Sequence, residues 1–168
     1  MSASILLSSL KFETAIAQDQ MLSRAIPSSG ELLPIIGLGT SRVFDLDPQD
    51  KDKLRIRKEI IESLINKGGS LIDTSPMYGR SEEVIGYIYG NHPRREDIFL
   101  ATKVWTKGKS EGERQISESF KKMNASKIEL IQIHNLVDWK TQIKTLRKMK
   151  ETGEISYIGI THYKSSSF

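Results

Sequence analysis

The chain has 168 residues, of which 38% are hydrophobic and 27% charged, with a formal net charge of +4 and a pI near 9.2. This length supports one domain with a sizeable core. No run of about 18 apolar residues offers a membrane-spanning helix. The lysines are spread along helical stretches, the pattern of solvated helix faces rather than of a nucleic-acid stripe, and the mild positive field suits an anionic cofactor. Cysteine is absent, which removes disulfide and thiolate chemistry and leaves the compartment open.

Residues 1–20 read as an N-terminal extension. Ile5-Leu6-Leu7-Ser8-Ser9-Leu10 and Ala15-Ile16-Ala17 have the flavour of a cleavable leader, the alternative reading, but no basic region precedes them, and Lys11 and Glu13 break the apolar core. From residue 21 the pattern becomes regular. Ala25-Ile26 and Leu32-Leu33 flank Pro27-Ser28-Ser29-Gly30 as a hairpin. Pro34 to Thr40 reads as a short buried strand, and Asp47-Pro48 as the N-cap and first residue of a helix. That helix turns Leu54, Ile60, Ile61, Leu64 and Ile65 to one side and stops at Gly68-Gly69.

The cycle then repeats. Ser70 to Asp73 is a strand, and Ser81 opens a helix with Val84, Ile85 and Ile88. Ile98 to Val104 is a strand, and Ser110 with Glu113 forms a capping box for the next helix. Ile128 to His134 is a strand, Asp138 caps a helix that stops at Gly153, and Tyr157 to Thr161 is a fifth strand. Near-continuous apolar strands alternating with helices mean a parallel α/β sheet. Gly37-Leu38-Gly39 is only a fragment of the dinucleotide fingerprint, and no Walker A sequence occurs.

Three strands end in ionisable residues. Asp73 ends one, with Tyr78 in the turn that follows, Lys103 ends the next, and His134 the one after. In a β/α barrel these strand ends form the site. A tyrosine is a poor acid at neutral pH, with a pKa of about 10. A nearby ammonium favours its phenolate. An aspartate holds that ammonium, and a histidine can hydrogen-bond a substrate oxygen. Such a set can protonate an oxygen as a carbonyl becomes an alcohol, and the hydride must come from elsewhere. The three histidines lack metal-ligand spacing, so no metal site is expected.

Five segments taken together resemble the aldo-keto reductase family: Gly37-Leu38-Gly39-Thr40, Ile72 to Gly79, Ala101-Thr102-Lys103-Val104-Trp105, Ile131-Gln132-Ile133-His134-Asn135 and Ile158 to Tyr163. The resemblance implies a (β/α)8 TIM barrel, here with about five of eight parallel strands and an N-terminal β-hairpin. It implies an oxidoreductase that reduces an aldehyde or ketone, with Tyr78 as general acid, Lys103 and Asp73 tuning it, and His134 orienting the carbonyl. It also implies NADPH as hydride donor, with NADH the alternative. Thr40, Asp73, Thr161 and His162 are the implied cofactor contacts. Trp105 matches a substrate-pocket aromatic and reads equally as a rim residue packed on a loop. Asn135 suits the pocket or, by preference, a turn. Tyr87, Tyr89 and Trp139 read as helix packing.

Two departures from the family stand out. Thr161-His162 replaces the Ser-Asn pair of many relatives, keeping a hydroxyl and a hydrogen-bonding side chain. An eight-stranded barrel takes about 250 residues, so residues 21–168 read as a truncated barrel domain. The alternative function is accordingly a catalytically inactive fragment or interaction module, with association through open sheet edges. The expected partner is a small carbonyl substrate, with neither nucleic acid nor membrane, and the expected location is the cytoplasm.

Overall fold

The structure, a computed structural model, describes residues 21–167; the leader-like segment lies outside them. Strands β1 (Ser23–Ala25) and β2 (Leu32–Pro34) pair antiparallel as the expected hairpin. Strands β3 (Gly37–Gly39), β4 (Leu71–Asp73), β5 (Phe99–Val104), β6 (Ile128–His134) and β7 (Ile155–Thr161) form a parallel sheet. Its spatial order follows the chain, β3-β4-β5-β6-β7. A doubly wound sheet reverses its order at a switch point; unbroken succession is the winding of a β/α barrel, five of whose strands are described. Helices α1 (Lys51–Asn66), α2 (Ser81–Tyr89), α3 (Lys109–Lys122) and α4 (Trp139–Glu151) fill the connections.

Strand alternation divides the sheet into two faces. Ile72, Leu100, Val104, Ile131 and Ile133 pack with Ile61, Ile65, Val84, Ile85, Ile116 and Leu146 of the helices in one buried cluster. The intervening residues of β4, β5 and β6 turn to the other face, and it is those that carry the polar strand ends. Gly86 lets α2 meet the end of α3, since a Cβ there would run into the backbone of Lys122 and Met123.

Several local readings change. The strand expected over Pro34 to Thr40 is confined to Gly37–Gly39, and Ile35 and Ile36 are exposed at the sheet's edge. Helix α1 begins at Lys51, capped by Asp50, whose carboxylate accepts from the Lys53 N–H at 3.1 Å. Asp47 instead folds its side chain onto the Gln49 N–H at 3.0 Å, so Asp47-Pro48 belongs to the loop. Ile60 is 42% exposed, outside the apolar stripe. The end at Gly68 holds: with φ at 85° it donates to the Ile65 carbonyl, and Gly69 to that of Leu64, the paired bonds of a Schellman turn.

The capping box at Ser110 does not form. Helix α3 starts at Lys109, after Gly108 at φ 83°. Asp138 stands at the α4 cap position, yet its carboxylate accepts from the Thr141 hydroxyl and from the Gly108 N–H, both at 2.8 Å. One aspartate thus ties together the starts of two helices, and the Gly108 N–H and the Thr141 hydroxyl hold its carboxyl below the usual range. The hairpin turn reaches β7, where Tyr157 bonds Ser29 at 2.7 Å and also donates to the Glu31 carboxylate.

Candidate active site

Asp73 ends β4, and its carbonyl accepts from the N–H and hydroxyl of Thr40, at 3.1 and 3.0 Å. This pins the end of β3 to the end of β4. On β5 the Lys103 side chain, 5% exposed, donates to Asp73 Oδ2 at 2.6 Å and to the Thr74 carbonyl at 2.7 Å. A buried ammonium needs such partners, because an unpaired one pays its full desolvation cost. The turn after β4 carries Tyr78 across the lysine, with Nζ 4.9 Å from the ring centroid, in cation–π range. The turn is braced by Ser81, whose hydroxyl donates to the Tyr78 carbonyl at 2.7 Å and lies 3.3 Å from that of Thr40.

His134 ends β6, buried, with its ring edge-on to Tyr78 at 6.0 Å between centroids. Burial, and secondarily the charge of Lys103, push its pKa below 6.5, against the opposing pull of Asp73. The imidazole is therefore neutral at pH 7. Ser75 Oγ lies 3.2 Å from His134 Nδ1 and also accepts from the Met77 N–H. In the tautomer in which Ser75 donates to Nδ1, the imidazole hydrogen sits on Nε2. That nitrogen is a donor suited to an oxygen at the strand ends.

The three strand-end residues of the sequence reading and the turn tyrosine are thus brought together. Trp105, 42% exposed, joins them at the rim, its ring 6.4 Å from that of His134. Thr161 lies beside His134 in the β6–β7 ladder. His162 follows, stacked on Tyr163 and accepting from the Lys164 N–H at 3.0 Å. Asn135 has φ at 53° immediately after His134, the conformation of a turn residue. Of the helix aromatics, Tyr89 is buried, while Tyr87 and Trp139 are exposed rather than packed.

Comparison with known proteins identifies a family. The profile of the aldo/keto reductase family matches residues 35–168. The chain belongs to the aldo/keto reductase family. It is 27% identical over 143 residues to the aldo-keto reductase YhdN of Bacillus subtilis, covering 76% of this chain and 43% of that protein. It is 26% identical over 155 residues to the aldo-keto reductase yakc [NADP(+)] of Schizosaccharomyces pombe, covering 82% of this chain and 45% of that one. The fold superposes, with a TM-score of 0.69, on an aldo-keto reductase from Klebsiella pneumoniae in complex with NADPH, at 23% identity and covering 87% of this chain and 52% of that chain. This aldo/keto reductase family chain thus spans less than half the length of the two sequence relatives.

Two residues of the family chain escape the sequence reading. Gln132 donates from Nε2 to Asp73 Oδ1 at 2.9 Å. Its signal was available, since it stands two residues before His134 on one strand and so shares its face. Glu82, 1% exposed, accepts from the Thr102 hydroxyl at 2.6 Å. Burial raises its pKa, outweighing the hydroxyls of Thr102 and Ser119 and the charges of Lys122 and Lys103. A first-turn glutamate ordinarily reads as solvated, and nothing local marks this one as buried.

Proposed function

We propose that the chain carries the proton-donating half of a carbonyl reductase, reducing an aldehyde or ketone to an alcohol with Tyr78 as general acid. The observation that carries this reading is the Asp73–Lys103 pair held beneath the Tyr78 ring. An ammonium in that place stabilises the negative charge left on the tyrosine oxygen once its proton has gone. Asp73 balances the lysine charge, and the Thr74 carbonyl fixes its direction. Neutral His134 donates from Nε2 to the carbonyl oxygen and orients it toward Tyr78. Trp105 gives the substrate an apolar wall at the rim.

The donor set suits a nicotinamide. Thr161 and His162 lie at the same end of the sheet as His134, and a hydroxyl and an imidazole match the needs of a carboxamide. Asp73 would serve its ribose side. The Thr40 hydroxyl is engaged by the Asp73 carbonyl, so Thr40 would support that wall through packing. When bound, NADPH supplies the hydride, and the names of the Schizosaccharomyces pombe relative and of the Klebsiella pneumoniae complex favour it over NADH.

Titration of the chain with NADPH, followed by fluorescence and then by aldehyde-dependent loss of NADPH absorbance, tests the reading. Saturable binding with turnover supports it. Absence of binding at high NADPH concentration rejects it for this chain.

A further inference from the structure

We propose that Gln132 is a positioning residue for the proton-donating set, its amide holding the Asp73 carboxylate in the orientation that pairs it with Lys103. The proposal rests on the reading of the site as a carbonyl-reducing one. The two carboxylate oxygens divide their donors: Oδ1 takes the Gln132 amide at 2.9 Å and Oδ2 the Lys103 ammonium at 2.6 Å. The terminal torsion of an aspartate is broad and two-fold, so one donor leaves the carboxylate free to swing. Two donors on different strands, one for each oxygen, fix it. Only the NH2 end of the amide can face a carboxylate, which settles the side chain's orientation.

The backbone is built around this contact. The β5–β6 ladder sets Gln132 directly beside Lys103, and the β6–β7 ladder sets Gly159 on its other side. A Cβ at Gly159 would lie 3.0 Å from Gln132 Cγ and 3.2 Å from Leu130 Cδ1, closer than ordinary contact. The glycine leaves the glutamine room to lie across the strands toward Asp73. The chemistry of the side chain matters too. A lysine or arginine here would compete with Lys103 for the carboxylate, and a glutamate would repel it. Methionine, of similar length, keeps the volume and removes the donor. Asp73, 30% exposed against 5% for Lys103, can then turn toward water and away from the lysine.

Competitive acetylation of the folded chain, read at each lysine by mass spectrometry, tests this without requiring turnover. In the wild type Lys103 should react far more slowly than Lys109, which is 71% exposed. Gln132→Met is expected to speed Lys103 acetylation roughly tenfold, the scale of one lost hydrogen bond to a charged group, with Lys109 and Lys53 unchanged. Asp73→Asn should speed it at least as much, and adding Gln132→Met to Asp73→Asn should add nothing, a non-additivity that general loosening would not give. Gln132→Leu, which also removes the donor, is a second route to the same change should the methionine variant not fold. Unchanged Lys103 reactivity in a folded Gln132→Met or Gln132→Leu variant overturns the proposal, as does full additivity with Asp73→Asn. Where NADPH is turned over, the folded variants should lose kcat with carbonyl KM nearly constant, and a loss confined to KM also overturns it. Failure of the wild type to turn over counts against the carbonyl-reductase reading alone, since Lys103 protection is still measured.

Discussion

Lys103 presents its ammonium to the face of the Tyr78 ring, 4.9 Å from the centroid, while its hydrogen bonds go to Asp73 and the Thr74 carbonyl. The contact is with the ring, so it survives removal of the phenol oxygen. Tyr78→Phe should keep the folded structure, with unfolding free energy within about 1 kcal/mol of wild type. Turnover should fall by roughly 10²–10⁴, the worth of a positioned proton donor. Steady-state kinetics beside urea denaturation check both halves, and wild-type turnover in the phenylalanine variant refutes the acid role.

The ion pair is lopsided in burial, and its two halves should differ when removed. Asp73→Asn leaves an ammonium buried with a weaker partner, which should cost about 3 kcal/mol, the low end for breaking a buried pair. Lys103→Met leaves a carboxylate that is partly solvated and still bonded to Gln132, so the loss should be nearer about 1 kcal/mol. Denaturant midpoints of the two variants decide the order, and equal losses would mean that exposure of Asp73 does not matter.

His134 offers a direct spectroscopic check. Burial holds its pKa below 6.5, so at pH 7 long-range ¹H–¹⁵N spectra should show a neutral ring carrying its hydrogen on Nε2. The unfolded chain takes up this proton near pH 6.5 and the folded chain only lower. Stability attributable to His134 is therefore present above pH 6.5 and lost as the pH falls through the folded value. A His134→Gln variant should lack that portion of the acid-side loss. A protonated ring at pH 7 contradicts the assignment.

Much of this was legible from the residues because the strand ends are chemically conspicuous. β6 runs over the expected Ile128 to His134 because its apolar run is long and bounded by polar residues. The same apolar continuity hides which side chains face inward, and Gln132 passes as one polar residue in a buried strand. The start of α1 is ambiguous for a different reason: Asp47 and Asp50 both offer a capping carboxylate, and the side chain of Asp47 turns instead to the Gln49 N–H. Glu82 is invisible locally, since its burial depends on β5 and α3 closing over the first turn of α2.

That glutamate gives the opposite pH dependence to His134. Its folded pKa is raised above 4.5 by burial, so the folded state holds its proton more tightly than the unfolded one. Stability from this source is full below pH 4.5 and is lost as the pH rises through the folded value. Glu82→Gln should remove this loss and narrow the difference in unfolding free energy between pH 4.5 and neutral pH. Glu129, also raised chiefly by burial, remains in the variant and keeps part of the slope. An unaltered slope in the glutamine variant would show that Glu82 titrates alike in both states.

The contact of Ser29 and Glu31 with Tyr157 joins residues 128 and 126 positions apart. Loop closure over such a span is slow and must be met before the contact repays it. During synthesis the hairpin emerges before its anchor on β7, with β3 to β6 made between them. The hairpin must therefore wait for β3 to β7 before this contact can form. Hydrogen exchange at the hairpin amides should accordingly gain protection no earlier in refolding than the β7 amides, which makes this small element a clock for the arrival of β7.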